Sequence, residues 1–319
     1  MESTTNQEER TPLDELLAFY TEFSTSTKPK LERLAVVLER LQAEKIDCIL
    51  LKGADLIPRL YGVLGARPLG DVDLLVHEAD LPVLDHVLRD MGLRPIVDGN
   101  PSYLDEDQIL SLDVVTRVWY LDHTEELWAR AHHRIWEGIP VQGMGTDDLV
   151  LYLTAYSVVH RGCVSPAFGQ DLALLVANET VNWAIVAREA IRHHLKIPLL
   201  HGLAYVAQRA HAAIPPEVLS QLAPSSWAER GLLFLLRRVV TEVRIHEAGH
   251  LLLWITRPRR QKLKWLKEAI FPSDTFMKYR YGERAETHPL RSRILRPFGL
   301  LYRAFRLLGR VALALAKPR

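Results

Sequence analysis

Asp71 and Asp73 stand two residues apart in Gly70-Asp71-Val72-Asp73-Leu74-Leu75-Val76. In an apolar run that alternates as a strand does, such a pair points to one side of a sheet. Two unpaired carboxylates there would repel and one would keep its proton, so the arrangement makes sense mainly around a divalent cation. A third acid, Asp113, sits within the β-branched and apolar stretch 109–121, where a lone carboxylate is expensive to bury. Asp105, Asp107 and Asp122 lie close enough to compete with Asp113 if the strand is placed differently. On neighbouring strands, Asp71, Asp73 and Asp113 would form the oxygen donor set that Mg²⁺ (or Mn²⁺) prefers.

Upstream, Leu50-Leu51-Lys52-Gly53 reads as a strand running into a turn that opens a helix. The free N–H groups and positive dipole end of such a helix can receive phosphate oxygens. Lys52 and Arg67 add positive charge, so Lys52, Gly53, Arg67 and Gly70 form the expected nucleotide-binding set. With a nucleoside triphosphate supplying further oxygens, one ion would activate an attacking hydroxyl and a second would neutralise the leaving pyrophosphate. That chemistry is nucleotidyl transfer.

These residues need a scaffold. Apolar spacing predicts one or two helices over 11–46, with a Ser-Thr-Lys-Pro break near Pro29. A strand over 46–51 follows, then a helix over 54–61 with Pro58 in its first turn, a loop over 62–70 and a strand over 71–76. An amphipathic helix over 78–91 stops at Gly92. A strand over 109–121, a short helix over 125–136 and a strand over 139–142 complete the front half. Beyond Gly143 the pattern is helical: 147–160 with Thr146 as N-cap, then 169–178, 182–193, 198–211, 216–221, 226–248 and 259–269. This is an α+β chain, divided as a catalytic front domain over 1–143, a helical substrate or lid domain over 144–270 and a basic arm over 271–319.

With 48% hydrophobic and 25% charged residues, 319 residues can bury a large core, which argues against extensive disorder. Cys48 and Cys163 cannot build a disulfide framework, and the polar, acidic N-terminus lacks the features of a signal peptide, so a cytoplasmic location is expected. The net charge of +1 hides an asymmetry: residues 257–319 carry 17 Lys/Arg against 4 Asp/Glu, a net of +13, leaving 23 basic and 35 acidic residues, a net of −12, before them. A basic amphipathic stretch over 296–319 can lie on an anionic lipid surface, track RNA or cover the acidic body of the same protein. Attachment to lipid would make the chain peripheral at a membrane, since its apolar runs are too short to span one.

At Leu50-Leu51-Lys52-Gly53, Tyr61-Gly62, Arg67-Pro68-Leu69-Gly70-Asp71-Val72-Asp73-Leu74-Leu75-Val76 and the strand around Asp113, the chain resembles the nucleotidyltransferase superfamily that includes DNA polymerase β. Within it the resemblance is to a bacterial nucleotidyltransferase family. His160 and Gln170-Asp171-Leu172 look like that family's helix His followed by a helix Asp, which implies substrate contacts at His160 and Asp171. The resemblance implies a small mixed sheet flanked by helices, ATP or another NTP, and Mg²⁺. The wider superfamily carries Gly-Ser or Gly-Gly nearer its acids, whereas here Lys52-Gly53 precedes Asp71 by 18 residues from Gly53.

Two other readings come from different classes. One is a catalytically silent module that binds a nucleotide or a partner. The other is a zinc peptidase, because His246-Glu247-Ala248-Gly249-His250 fits the His-Glu-x-x-His pattern, although no third ligand is evident downstream. His132-His133 lacks a carboxylate at ligand spacing and reads as solvated surface. The sequence leaves the acceptor, and which NTP is used, unspecified.

Overall fold

The computed structural model describes residues 12–97, 101–118, 120–121, 124–245, 248–281 and 289–316. Seven strands among them form one mixed sheet: β1 (Cys48–Leu51), β2 (Val72–Val76), β3 (Arg94–Val97), β4 (Pro101–Leu104), β5 (Ser111–Val115), β6 (His132–Trp136) and β7 (Ile139–Gly143). Their order is β3-β4-β5-β2-β1-β7-β6. The central strand β2 runs antiparallel to β1 and parallel to β5, in a register that sets Asp73 beside Asp113.

Strand alternation divides the core between the two faces of the sheet. Leu50, Val72, Leu74, Val76, Leu112 and Val114 join the core formed with α1 (Pro12–Ala43) and α3 (Leu81–Asp90). Ile49, Leu51 and Leu75 have the opposite parity and join the core of the helical half. Asp71, Asp73 and Asp113 share that second parity. They therefore belong to the face covered by α5 (Thr146–Ala155), α6 (Pro166–Asn178), α7 (Trp183–Arg192) and α8 (Lys196–Arg209). One core thus runs across Gly143 from sheet to helices.

The remaining helices are α2 (Lys52–Leu56), α4 (Glu125–Ala129), α9 (Pro216–Gln221), α10 (Trp227–Leu236), α11 (Gly249–Thr256), α12 (Arg259–Ile270), α13 (Asp274–Tyr281) and the terminal α14 (Pro289–Ala316). The chain is α+β, with a helical region and a basic helical arm after its sheet. No described helix is long and apolar enough to cross a membrane.

Several elements differ from the sequence expectation. Pro29 does not break α1, although an interior proline costs about 3 kcal/mol. Buried Thr27 and Leu31 hold the helix on either side of it, and the loop after α2 packs close to α1: a β-carbon on Gly65 would lie 2.5 Å from the Tyr20 carbonyl oxygen. Pro58 falls in a π-helical turn, Ile57–Tyr61, that continues α2, so the helix starts earlier than expected and widens where the proline lacks its N–H. Strands β3 and β4 carry no strand signature in the sequence, since Pro95 and Pro101 disguise them; β3 is an edge strand, where proline is tolerated. Residues 132–136 are an edge strand and not helix, and β5 covers only Ser111–Val115 of the expected 109–121. Gly145, and not Thr146, occupies the N-cap of α5. The helix expected over 226–248 ends with a π-helical segment at Val243, followed by Arg244 at φ +58°.

Candidate active site

Asp73 and Asp113 face one another across parallel strands, and Asp71 immediately precedes β2. Each can offer an oxygen, and the three oxygens lie within 4.8 Å of one another. Asp73 is buried, Asp113 half-buried and Asp71 exposed, so the cluster opens toward solvent from a low-dielectric floor. Burial pushes the Asp73 carboxyl up to about 6, with Asp71 and Asp113 adding to the rise and Lys52 opposing it. A set of carboxylate oxygens whose charges raise one another's cost of ionisation fits a hard divalent cation.

Lys52 opens α2 in the left-handed region at φ +49°, a conformation uncommon outside glycine. Its ammonium lies 2.5 Å from Asp73 Oδ1 and 4.4 Å from the centre of the Tyr156 ring. Burial works against the Lys52 charge, but Asp73 outweighs it and holds the ammonium above the usual lysine range. Lys52 is therefore part of the carboxylate cluster.

Gly53 is buried beneath Arg67: a β-carbon there would meet Arg67 Nη1 at 2.5 Å and Leu69 Cδ1 at 2.9 Å. Arg67 in turn donates from Nε and Nη2 to the two oxygens of Asp171, at 2.7 and 2.9 Å. The Tyr61 hydroxyl donates to Asp171 Oδ1 at 2.6 Å, and burial together with Asp171 pushes that phenol well above the usual tyrosine range. Asp171, for which the resemblance implies a substrate contact, thus meets Arg67 and Tyr61. Gly70 is exposed, and Lys30 of α1 donates to its carbonyl at 3.0 Å and to that of Leu69 at 2.6 Å, fixing the loop that leads to Asp71.

A second clamp lies eight residues along from Asp171, about two helical turns away. Arg59 donates from Nε and Nη2 to the two oxygens of Glu179, both at 2.7 Å, and from Nη1 to Asp55 at 3.1 Å. The Thr146 hydroxyl donates to the same Glu179 at 2.5 Å. Arg59 and Arg67 therefore hold the C-terminal end and the middle of α6 against the segment between β1 and β2. Neither clamp has a local sequence signal, because the partners are 120 and 104 residues apart.

His160 is exposed at the end of a π-helical turn, Tyr156–His160, that extends α5. Its ring stacks on Tyr156 with centroids 5.1 Å apart, and Tyr120 approaches it edge-on at 6.1 Å. Since Lys52 lies over the other partner in that stack, the tyrosines form an aromatic wall continuous with the carboxylate cluster. The four-residue spacing of Tyr152, Tyr156 and His160 is the sequence signal that marks this wall. His132 and His133 are exposed on β6, as expected. His246 and Glu247 lie outside the described residues. A separate cavity of about 960 Å³, bordered by Gln170, Tyr205, Arg209 and Arg244, includes none of the expected site residues.

The family model described as uncharacterised nucleotidyltransferase matches residues 3–211. The chain belongs to that family. Two solved structures resemble parts of this nucleotidyltransferase. The solution structure of the antibiotic-resistance factor ANT(2'')-Ia is 12% identical, with a TM-score of 0.40 over 58% of this chain and 97% of that one. An antigenic nucleotidyltransferase-like protein from Paracoccidioides brasiliensis is 16% identical, with a TM-score of 0.44 over 61% of this chain and 93% of that one. No curated protein matches.

Proposed function

We propose that this nucleotidyltransferase moves NMP from an NTP, with ATP the preferred donor, to a hydroxyl of an acceptor held between the sheet and the helical half. The observation that carries the reading is the convergence of Asp71, Asp73 and Asp113 within 4.8 Å beside the Lys52 ammonium. The three carboxylates would hold Mg²⁺ (or Mn²⁺), which when bound supplies charge neutralisation at the phosphates and activation of the attacking hydroxyl. Lys52 contributes the permanent positive charge of the site, with Tyr156 shielding it from water.

Gly53, Arg67 and Gly70 are the proposed nucleotide contacts, with Asp171 and Tyr61 positioning Arg67. His160, exposed and stacked on Tyr156, is the proposed contact for the acceptor or the base. The front part over 1–143 would bind nucleotide and cation, and 144–270 would close over the acceptor. The acceptor would be a small molecule, sugar, peptide, protein side chain or tRNA end. Two free thiols, Cys48 and Cys163, suit a reducing cytoplasm.

The test is transfer of label from α-labelled NTPs to a metabolite and RNA extract, comparing wild type with Asp71→Asn/Asp73→Asn. Labelled product formed only by wild type supports the proposal. Product that survives the double change overturns it, and tight NTP binding without product favours a silent module.

A further inference from the structure

The terminal helix α14 carries six arginines and no acid or lysine between Pro289 and Ala316. At 100° per residue, Ile294, Phe298, Leu301, Phe305, Leu308 and Leu315 fall within one stripe. All six are exposed, led by Phe305 at 71%, Phe298 at 65% and Ile294 at 63%. The helix is nonetheless docked, because Val311 and Ala314 are buried in the main core and Leu307 packs against it. One side of α14 thus meets the protein body, and a second, wholly apolar side is left exposed by the described residues. Arg303, Arg306 and Arg310 project from the arc between them, and all three are exposed. An unpartnered apolar stripe of this length exceeds what scattered surface residues explain.

We infer that the exposed stripe of α14 seats the protein on the surface of a bilayer rich in anionic phospholipid, with Phe298, Leu301 and Phe305 entering the acyl boundary and Arg306, on the arc beside the stripe, reaching the head groups. Charge complementarity selects this occupant. A second copy of the same helix would bring twelve arginines together without one acid to pair them, which repels. Nucleic acid would satisfy the arginines but leave Ile294, Leu301 and Leu308 facing water. A basic amphipathic helix lying in the interface buries both kinds of group, and α14 lacks the continuous apolar length that spanning requires. This inference is independent of the reaction at the carboxylate cluster.

The experiment is co-sedimentation of the full-length protein with phosphatidylcholine vesicles, with and without phosphatidylglycerol, at rising salt. Wild type should bind only the anionic vesicles, and binding should weaken as salt screens the arginines. Leu301→Asp/Phe305→Asp should reduce affinity at least about tenfold, since each removes an apolar side chain from the interface and adds a charge. Arg306→Gln should reduce it about fivefold, at roughly 1 kcal/mol per basic residue near such a surface. Should the aspartates disturb the fold by circular dichroism, Leu301→Gln/Phe305→Gln reads the same face. Failure of wild type to bind anionic vesicles, or undiminished binding by the apolar-face variants, overturns the inference. So does a dimer that those variants dissociate, or single-stranded RNA binding that depends on the arginines alone.

Discussion

Arg67 grips Asp171 through two bonds, Nε to Oδ1 at 2.7 Å and Nη2 to Oδ2 at 2.9 Å, across 104 residues of chain. The pair joins the loop that leads to the carboxylate cluster with the helix that covers it. Both side chains are largely buried, so each compensates a charge that would otherwise be stranded. We expect Asp171→Ala to cost about 3–5 kcal/mol in urea unfolding, because it leaves the buried Arg67 guanidinium without its counter-charge. Replacing both with leucine should recover a large part of that loss. A single change costing under about 1 kcal/mol would show that solvent already compensates the pair.

Gly53 is constrained by the same pair. A β-carbon there would need Arg67 Nη1, 2.5 Å away, to retreat, and Asp171 prevents it from doing so. Gly53→Ala should destabilise by about 1–3 kcal/mol, as overpacking does. Its cost should fall when Asp171→Asn loosens the guanidinium, a non-additivity that a double-mutant cycle measures. Strict additivity would mean that the clash is relieved elsewhere.

Removing one acid should separate activity from stability. Asp71→Asn should lower nucleotidyl transfer at least about a hundredfold, since several kcal/mol of cation-dependent stabilisation is at stake. The same change removes one of three mutually repelling charges, so the metal-free protein should melt at a higher temperature. A variant that is less active and also less stable would indicate that Asp71 has a structural partner.

His201 supplies a pH dependence remote from the site. Burial, with Arg237 nearby, lowers its pKa to about 4, and its Nε2 lies 3.0 Å from the Thr241 hydroxyl, which the neutral ring can accept. The unfolded chain protonates this histidine near pH 6.5. Unfolded protein therefore binds more protons between about pH 6.5 and 4, and stability falls as pH falls through that window. The total is about 3 kcal/mol, complete above the unfolded value. His201→Gln should flatten this part of the stability curve between pH 7 and 4.5, whereas an unchanged curve would assign the slope to other groups.

Much of the scaffold was legible because it follows from short-range periodicity. Alternation in Asp71-Val72-Asp73 set both acids on one face, and apolar runs located β1, β2, β5 and β7. The 3.6-residue spacing located most helices from α3 onward. Legibility failed where a local rule was overridden by packing, as at Pro29 within α1, or where prolines hid short strands, as at Pro95 and Pro101.

The sequence by itself determined the chemical character of the site: three acids, a lysine beside a glycine, and a helical half carrying His160 and Asp171. It also determined the basic, apolar composition of the terminal helix. Only the tertiary structure decided which charges meet. Lys52 turned to Asp73, Arg67 to Asp171 and Arg59 to Glu179, and α14 kept one apolar side outside the core. Periodicity acts over a few residues and is written in the chain, whereas the pairing of buried charges depends on which partner, a hundred residues away, lowers the cost of leaving water.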